Sequence, residues 1–109
     1  MDIFRPFEEN QDQISPNRNI APLTAALDQM QRLFVGGCRL SKLAEDYGTP
    51  LYVIDELTVR ASCREYRDSL SKYYPGDSLP LYASKANSSL LLSSLVASEG
   101  MGIDVVSEG

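Results

Sequence analysis

The sequence predicts an α/β protein, and three observations carry that prediction. The stretch from Leu79 to Ser107 reads as strand, apolar helix, strand. A longer amphipathic helix precedes it, starting after Asp55. Short β-branched and aromatic runs stand earlier, at Leu33–Val35 and Leu51–Ile54. A strand–helix–strand unit normally closes with its two strands parallel and the helix in a right-handed crossover.

The elements follow in chain order. Residues 1–22 are rich in Asn, Gln, Asp and Pro and predict a flexible lead-in. Residues 23–31 read as weakly helical or irregular. Leu33-Phe34-Val35, followed by Gly36-Gly37, predicts a short strand that ends in a turn. A short helix is expected over 40–47, where Leu40, Leu43, Ala44 and Tyr47 share one face, with Gly48 as its stop. Residues 23–48 are therefore read as one N-terminal segment, and the remainder, 49–109, as the start of a second domain.

Thr49-Pro50 restarts the chain in extended form. Leu51-Tyr52-Val53-Ile54 predicts a compact strand. Asp55 can cap the next helix, and Glu56 in its first turn suits the helix dipole. Val59, Cys63, Tyr66, Leu70 and Tyr73 recur at helical spacing and mark one apolar face. Arg60, Arg64, Glu65, Arg67 and Asp68 fall on the other surfaces, which read as solvated. Pro75-Gly76 ends that helix. Leu79–Ala86 then predicts a strand. Asn87 or Ser88 is expected to cap a helix closed by Gly100, and Met101–Ser107 predicts a further strand.

Composition narrows the chemistry. The chain has 109 residues, 43% of them apolar, which argues against wholesale disorder. It carries 10 Lys plus Arg against 15 Asp plus Glu, a formal charge of −5. That acidic balance argues against nucleic acid as a partner, because phosphate binding needs clustered Lys and Arg. With no His in the chain, Ser-His and Cys-His dyads, His-ligated zinc and imidazole acid–base catalysis are excluded within it. Cys38 and Cys63 form no CxxC pair; they read as buried reduced thiols, and no metal site is expected. No apolar run reaches signal-peptide or membrane-span length, so no membrane association and a cytoplasmic location are expected.

Two candidates remain for chemistry. Lys85 falls at the C-terminal end of the strand predicted over 79–86. In parallel α/β architectures, ligands gather at that end. Strict alternation puts Leu81, Ala83 and Lys85 on one face and Tyr82, Ser84 and Ala86 on the other; flanked along the chain by small Ala83 and Ala86, Lys85 has room beside it for something flat. A partly buried lysine amine can condense with an aldehyde; a lysine whose ammonium simply reaches water is the structural alternative. Asp104 follows 19 positions later, in the next strand. If both side chains point the same way, Asp104 can position the Lys85 ammonium or receive its proton. Gly100-Met101-Gly102 begins like a dinucleotide fingerprint but precedes a strand instead of following one, so that reading fails.

Leu81-Tyr82-Ala83-Ser84-Lys85-Ala86-Asn87 also carries a resemblance. So do Tyr47-Gly48-Thr49-Pro50-Leu51-Tyr52-Val53-Ile54-Asp55 before it and Gly102-Ile103-Asp104-Val105-Val106-Ser107 after it. Together, in this order, they resemble the diaminopimelate decarboxylase family. Its members are pyridoxal-phosphate (PLP) decarboxylases with an alanine-racemase-like barrel. The resemblance covers about residues 20–109, and Leu33–Gly37 is similar to the strand that precedes the barrel.

The resemblance implies a fold, a cofactor and roles. The fold is the N-terminal part of a PLP-binding (β/α)8 barrel, incomplete here, since such a barrel needs about 250 residues. Lys85 is implied as the lysine that forms a Schiff base with pyridoxal 5'-phosphate, Ala83 as a residue lining the cofactor, and Asp104 as the second-strand aspartate near that lysine. The implied reaction is decarboxylation of meso-2,6-diaminopimelate at its D-centre to L-lysine, by a homodimer. A sister enzyme acting on carboxynorspermidine, ornithine or arginine is the alternative within the class. A non-catalytic remnant that pairs with a full-length homologue is the alternative outside it. The family continues past the position of Gly109 with a Glu, a cofactor-stacking His, a phosphate loop and an acid for the pyridine nitrogen. The 109-residue piece is therefore expected to be inactive alone and, with an unpaired strand edge and an uncovered apolar face, marginal in stability.

Overall fold

A computed structural model describes residues 20–108 and the backbone of Arg5–Pro6. Most of the lead-in expected over 1–22 lies outside the described residues. The chain forms two compact units, one running to Thr58 and the other starting at Val59.

The first unit is built on an antiparallel meander of β1 (Arg5–Pro6), β2 (Ala26–Leu27), β3 (Leu33–Val35) and β4 (Cys38–Arg39), in that order. β2 falls within the stretch read as weakly helical or irregular. The local reason is Asp28, whose carboxylate makes a turn of its own. Asp28 Oδ1 accepts from the Met30 and Arg32 amides, both at 2.9 Å, and Oδ2 accepts from Arg32 Nε at 2.6 Å. An aspartate bonded to amides two and four residues on reverses the chain and leaves the flanks free to pair. Ala26 then faces Phe34 across the β2–β3 ladder.

β3 ends in a turn as expected, and the chain beyond it, not read as a strand, returns as β4 to complete a hairpin. Gly36 (φ 58°) and Gly37 (φ 77°) make its turn, with positive φ at both central positions. Such a turn matches the twist of the strands and favours residues without Cβ. Helix α1 (Leu40–Tyr47) follows with the predicted bounds, and the Gly48 amide bonds back to the Ala44 carbonyl.

Leu51–Ile54 does not form the expected strand. All four side chains are exposed, Tyr52 at 95%. A β-prone run becomes a strand only when a neighbour takes its amides and carbonyls. Among the described residues no strand pairs with it.

Asp55 anchors the start of helix α2 (Glu56–Tyr73), as its capping role predicts. The Thr58 hydroxyl donates to the Asp55 carboxylate and accepts from the Leu23 amide at 2.9 Å. The Thr24 hydroxyl accepts from the Gly36 amide at 2.7 Å. Burial pushes the Asp55 carboxyl up, but hydrogen bonds from Thr58 and Thr24 outweigh it and hold the carboxyl below its ordinary range.

The second unit contains most of α2, then β5 (Leu81–Ala83), a 3-10 turn (Ser84–Ala86), helix α3 (Leu90–Ser98) and β6 (Gly102–Asp104). β5 and β6 pair in parallel, with Leu81 opposite Gly102, Tyr82 opposite Ile103 and Ala83 opposite Asp104. Strand, crossover helix and parallel strand therefore occur as predicted. Both strands are shorter than expected. The α3 cap is Ser89, one or two residues later than predicted, because the Asn87 carboxamide takes the Ser89 amide at 3.0 Å and leaves the Ser89 hydroxyl to the Leu92 amide.

The core of this unit is Cys63, Leu92 and Val96, with Val59, Tyr82, Leu95 and Met101 packed around it. The predicted apolar face on α2 is covered unevenly: Cys63 is buried and Val59 and Leu70 are half-buried. Tyr66 and Tyr73, later on that face, are 67% and 74% exposed. Of the two thiols expected to be buried, Cys63 is buried and Cys38, beside the hairpin turn, is exposed. No helix among the described residues is long and apolar enough to cross a membrane.

Candidate functional site

The two parallel strands have unlike faces. Tyr82 packs into the core under α3, so its face of β5 meets the helices. Leu81 and Ala83 take the opposite face by alternation, and both are exposed. On β6 that open face carries Gly102 and Asp104. A Cβ placed on Gly102 would lie 2.5 Å from Leu81 Cδ2, which puts the Leu81 side chain directly over Gly102. The open face therefore reads Leu81 over Gly102, then Ala83 beside Asp104 at the carboxyl end.

Lys85 does not lie in the strand, as had been expected. β5 stops at Ala83, and Lys85 is the middle residue of the 3-10 turn. The chain turns there because Ser84, which is buried, donates its hydroxyl to the Asp104 carbonyl at 2.7 Å. That bond replaces the next rung of the ladder. Strand alternation consequently does not set the direction of the Lys85 side chain. The placement at the carboxyl ends of the strands still holds, with Lys85 two residues beyond Ala83, the register partner of Asp104.

Lys85 and Asp104 are both exposed. Among the described residues no ion pair or hydrogen bond joins them. Lys85 thus presents a primary amine without a carboxylate partner among the described residues, flanked by exposed Ala83 and Ala86. The chemistry open to that group is condensation with a carbonyl or proton exchange.

Sequence reasoning missed two features near this site. One is the pair of hydroxyls around the Lys85 turn: beside Ser84, the Tyr82 phenol donates to the Asn87 carbonyl at 2.9 Å. The other is at the opposite end of α3. Arg60, Arg64 and Arg67, read as a solvated surface, converge on Glu99. Arg60 Nη1 reaches Glu99 Oε1 at 2.8 Å, Arg64 Nε reaches Oε2 at 3.0 Å, and Arg67 Nη1 reaches the Glu99 carbonyl at 3.0 Å. The hydrogen bonds from Arg64 and then Arg60 hold the Glu99 carboxyl below its ordinary range against the opposing effect of burial. Three arginines at helical spacing were the available signal. Burial raises the pKa of the adjacent Cys63 thiol, and the Glu99 charge adds to that, so the thiol is a packing group.

Curated proteins match most of this chain. A diaminopimelate decarboxylase of Synechocystis sp. is 47% identical over 95 residues, 87% of this chain and 20% of that protein. One from Methanothermobacter thermautotrophicus is 43% identical over 77 residues, 71% of the chain and 18% of that protein. The chain resembles part of a diaminopimelate decarboxylase. One from Pseudomonas aeruginosa is 40% identical over 77 residues. The chain spans about a fifth of the length of these diaminopimelate decarboxylases. No family model matches it.

Proposed function

We propose that this chain is the N-terminal portion of a PLP-dependent diaminopimelate decarboxylase, which converts meso-2,6-diaminopimelate to L-lysine in the cytoplasm as a homodimer. The observation that carries the reading is the Lys85 amine, without a carboxylate partner among the described residues, at the carboxyl ends of two parallel strands, in a chain similar to those enzymes. On this reading residues 23–48 precede the barrel and 49–109 begin it, with β5 and β6 as neighbouring barrel strands and their open face turned inward.

The residues present suit pyridoxal phosphate. Lys85 offers a primary amine free of any carboxylate among the described residues, and Ala83 and Ala86 beside it are small and exposed. Lys85 would hold the cofactor covalently through Nζ, and Ala83 would line it. When bound, the cofactor supplies an electron sink for the pair released as the carboxylate leaves. Lys85 Nζ would also carry a proton to the carbon that loses the carboxylate. Asp104 would orient the Lys85 ammonium from the neighbouring strand.

The test is borohydride reduction of the full-length protein loaded with pyridoxal phosphate, then peptide mapping, alongside assay of lysine formation from meso-diaminopimelate. The cofactor mass is expected on the Lys85 peptide, and Lys85→Ala is expected to lose both the label and the activity. Label on another lysine overturns the assignment of Lys85. Turnover of ornithine, arginine or carboxynorspermidine in place of diaminopimelate overturns the substrate.

A further inference from the structure

We propose that Ser84 and Tyr82 are positioning residues that fix the turn carrying Lys85. The proposal rests on the reading of Lys85 given above. A three-residue 3-10 turn is a weak support for a reactive side chain, because its own hydrogen bonds have poor geometry. Lys85 is exposed, and among the described residues no hydrogen bond or ion pair holds its side chain. What restrains its backbone stands on either side.

At the entry, the buried Ser84 hydroxyl donates to the carbonyl of Asp104, 2.7 Å away. That bond joins the residue before Lys85 to the backbone of the residue bearing the second candidate group. At the exit, the Tyr82 phenol donates to the Asn87 carbonyl. The Tyr82 ring is itself held among Cys63, Leu92 and Val96. One shoulder of the turn is thus tied to β6 and the other to the core. Both bonds use a hydroxyl and a backbone carbonyl at the end of an element: Asp104 is the last residue of β6, and Asn87 follows the 3-10 turn. The arrangement directs the Lys85 Cα–Cβ bond without touching its amine. Orientation of that kind matters because a reacting group held in geometry reacts as if at high concentration.

The experiment uses the full-length protein with Tyr82→Phe, Ser84→Ala and Ser84→Thr. Two quantities are measured: the rate at which added pyridoxal phosphate becomes borohydride-trapped on Lys85, and the pH midpoint of the visible absorbance of that adduct. The melting temperature of the cofactor-free protein is measured alongside. Tyr82→Phe and Ser84→Ala are each expected to slow trapping roughly fivefold, the ratio that one net hydrogen bond is worth, and to shift the pH midpoint. Ser84→Thr, which keeps the hydroxyl, is expected to recover the rate. A lower melting temperature with unchanged trapping rate and pH midpoint in both Tyr82→Phe and Ser84→Ala overturns the proposal and leaves the role of Lys85 standing. No adduct on Lys85 in the unsubstituted protein overturns both.

Discussion

Arg64 grips Glu99 with two hydrogen bonds, Nε to Oε2 at 3.0 Å and Nη2 to Oε1 at 3.1 Å. Paired N–H donors of one guanidinium on one carboxylate fix orientation as well as distance. Glu99 is only 6% exposed and follows directly on α3, whereas Arg64 lies on α2. The pair therefore ties the end of the crossover helix to the long helix just before the chain enters β6. Arg60 and Arg67 reach the same residue, so Glu99 is a hub and each arginine a spoke. Replacing Glu99 by Ala is expected to lower the melting temperature more than replacing any one arginine, since it severs side-chain bonds to two of them. Equal effects from Glu99→Ala and Arg64→Ala would show that Arg64 carries the whole interaction.

Acid should loosen the chain in a defined order. Glu99 is held below its ordinary pKa of 4.5 by Arg64 and Arg60. Asp28 is also held below its ordinary value, 3.8: burial pushes it up, and the Arg32 amide and guanidinium and the Met30 amide more than offset that. A carboxyl with a lower pKa when folded binds fewer protons in the folded state than in the unfolded one. Its contribution is complete above the unfolded value and fades as pH falls through the folded value. Denaturant midpoints are accordingly expected to be flat with respect to these groups above about pH 5 and to fall below 4.5, the Glu99 step coming before the aspartate steps. Glu99→Gln should remove the first part of that slope.

The helices were legible in the sequence because their signals are local. Leu40, Leu43, Ala44 and Tyr47, with Gly48 behind them, give α1 its bounds. The crossover order of β5, α3 and β6 was legible for the same reason. What failed was whatever depends on a distant partner. Leu51–Ile54 is as β-prone as β3 but pairs with no strand among the described residues. β5 ends early because Ser84 bonds to Asp104, 20 positions away. The arginines of α2 read as solvent-facing because their partner lies 35 positions or so further on. Lys85 stood out in the sequence through its setting, but alternation does not give its direction, since alternation holds only as long as the strand does and β5 stops at Ala83.

Packing sets a contrast within α3. Val96 is 2% exposed and Leu90, on the same helix, is 83% exposed. Val96→Ala removes buried methyl groups and leaves a void, an expected loss of about 2 kcal/mol. Leu90→Ala is expected to stay within about 0.5 kcal/mol, as exposed substitutions do. Urea unfolding of both variants checks the pair. A cost at Leu90 matching that at Val96 would mean that another part of the full-length protein covers Leu90.

Gly102 offers a test of the barrel. A methyl group there would meet Leu81 Cδ2 at 2.5 Å, a distance that forces one of them to move. In this chain the face is open and Leu81 is 58% exposed, so its tip can swing aside. Alanine also suits a strand better than glycine by a fraction of a kcal/mol, roughly 0.5. On the 109-residue chain, Gly102→Ala is therefore expected to be near neutral. Inside a closed barrel the same face is filled by layers of side chains, and Leu81 has no free space. There the substitution is expected to cost about 1–3 kcal/mol, as overpacking does. Comparing the unfolding of Gly102→Ala with its parent in the full-length protein decides the matter. A neutral substitution there would show that the Leu81 face is not turned into a packed interior, and the barrel assignment for β5 and β6 would fall.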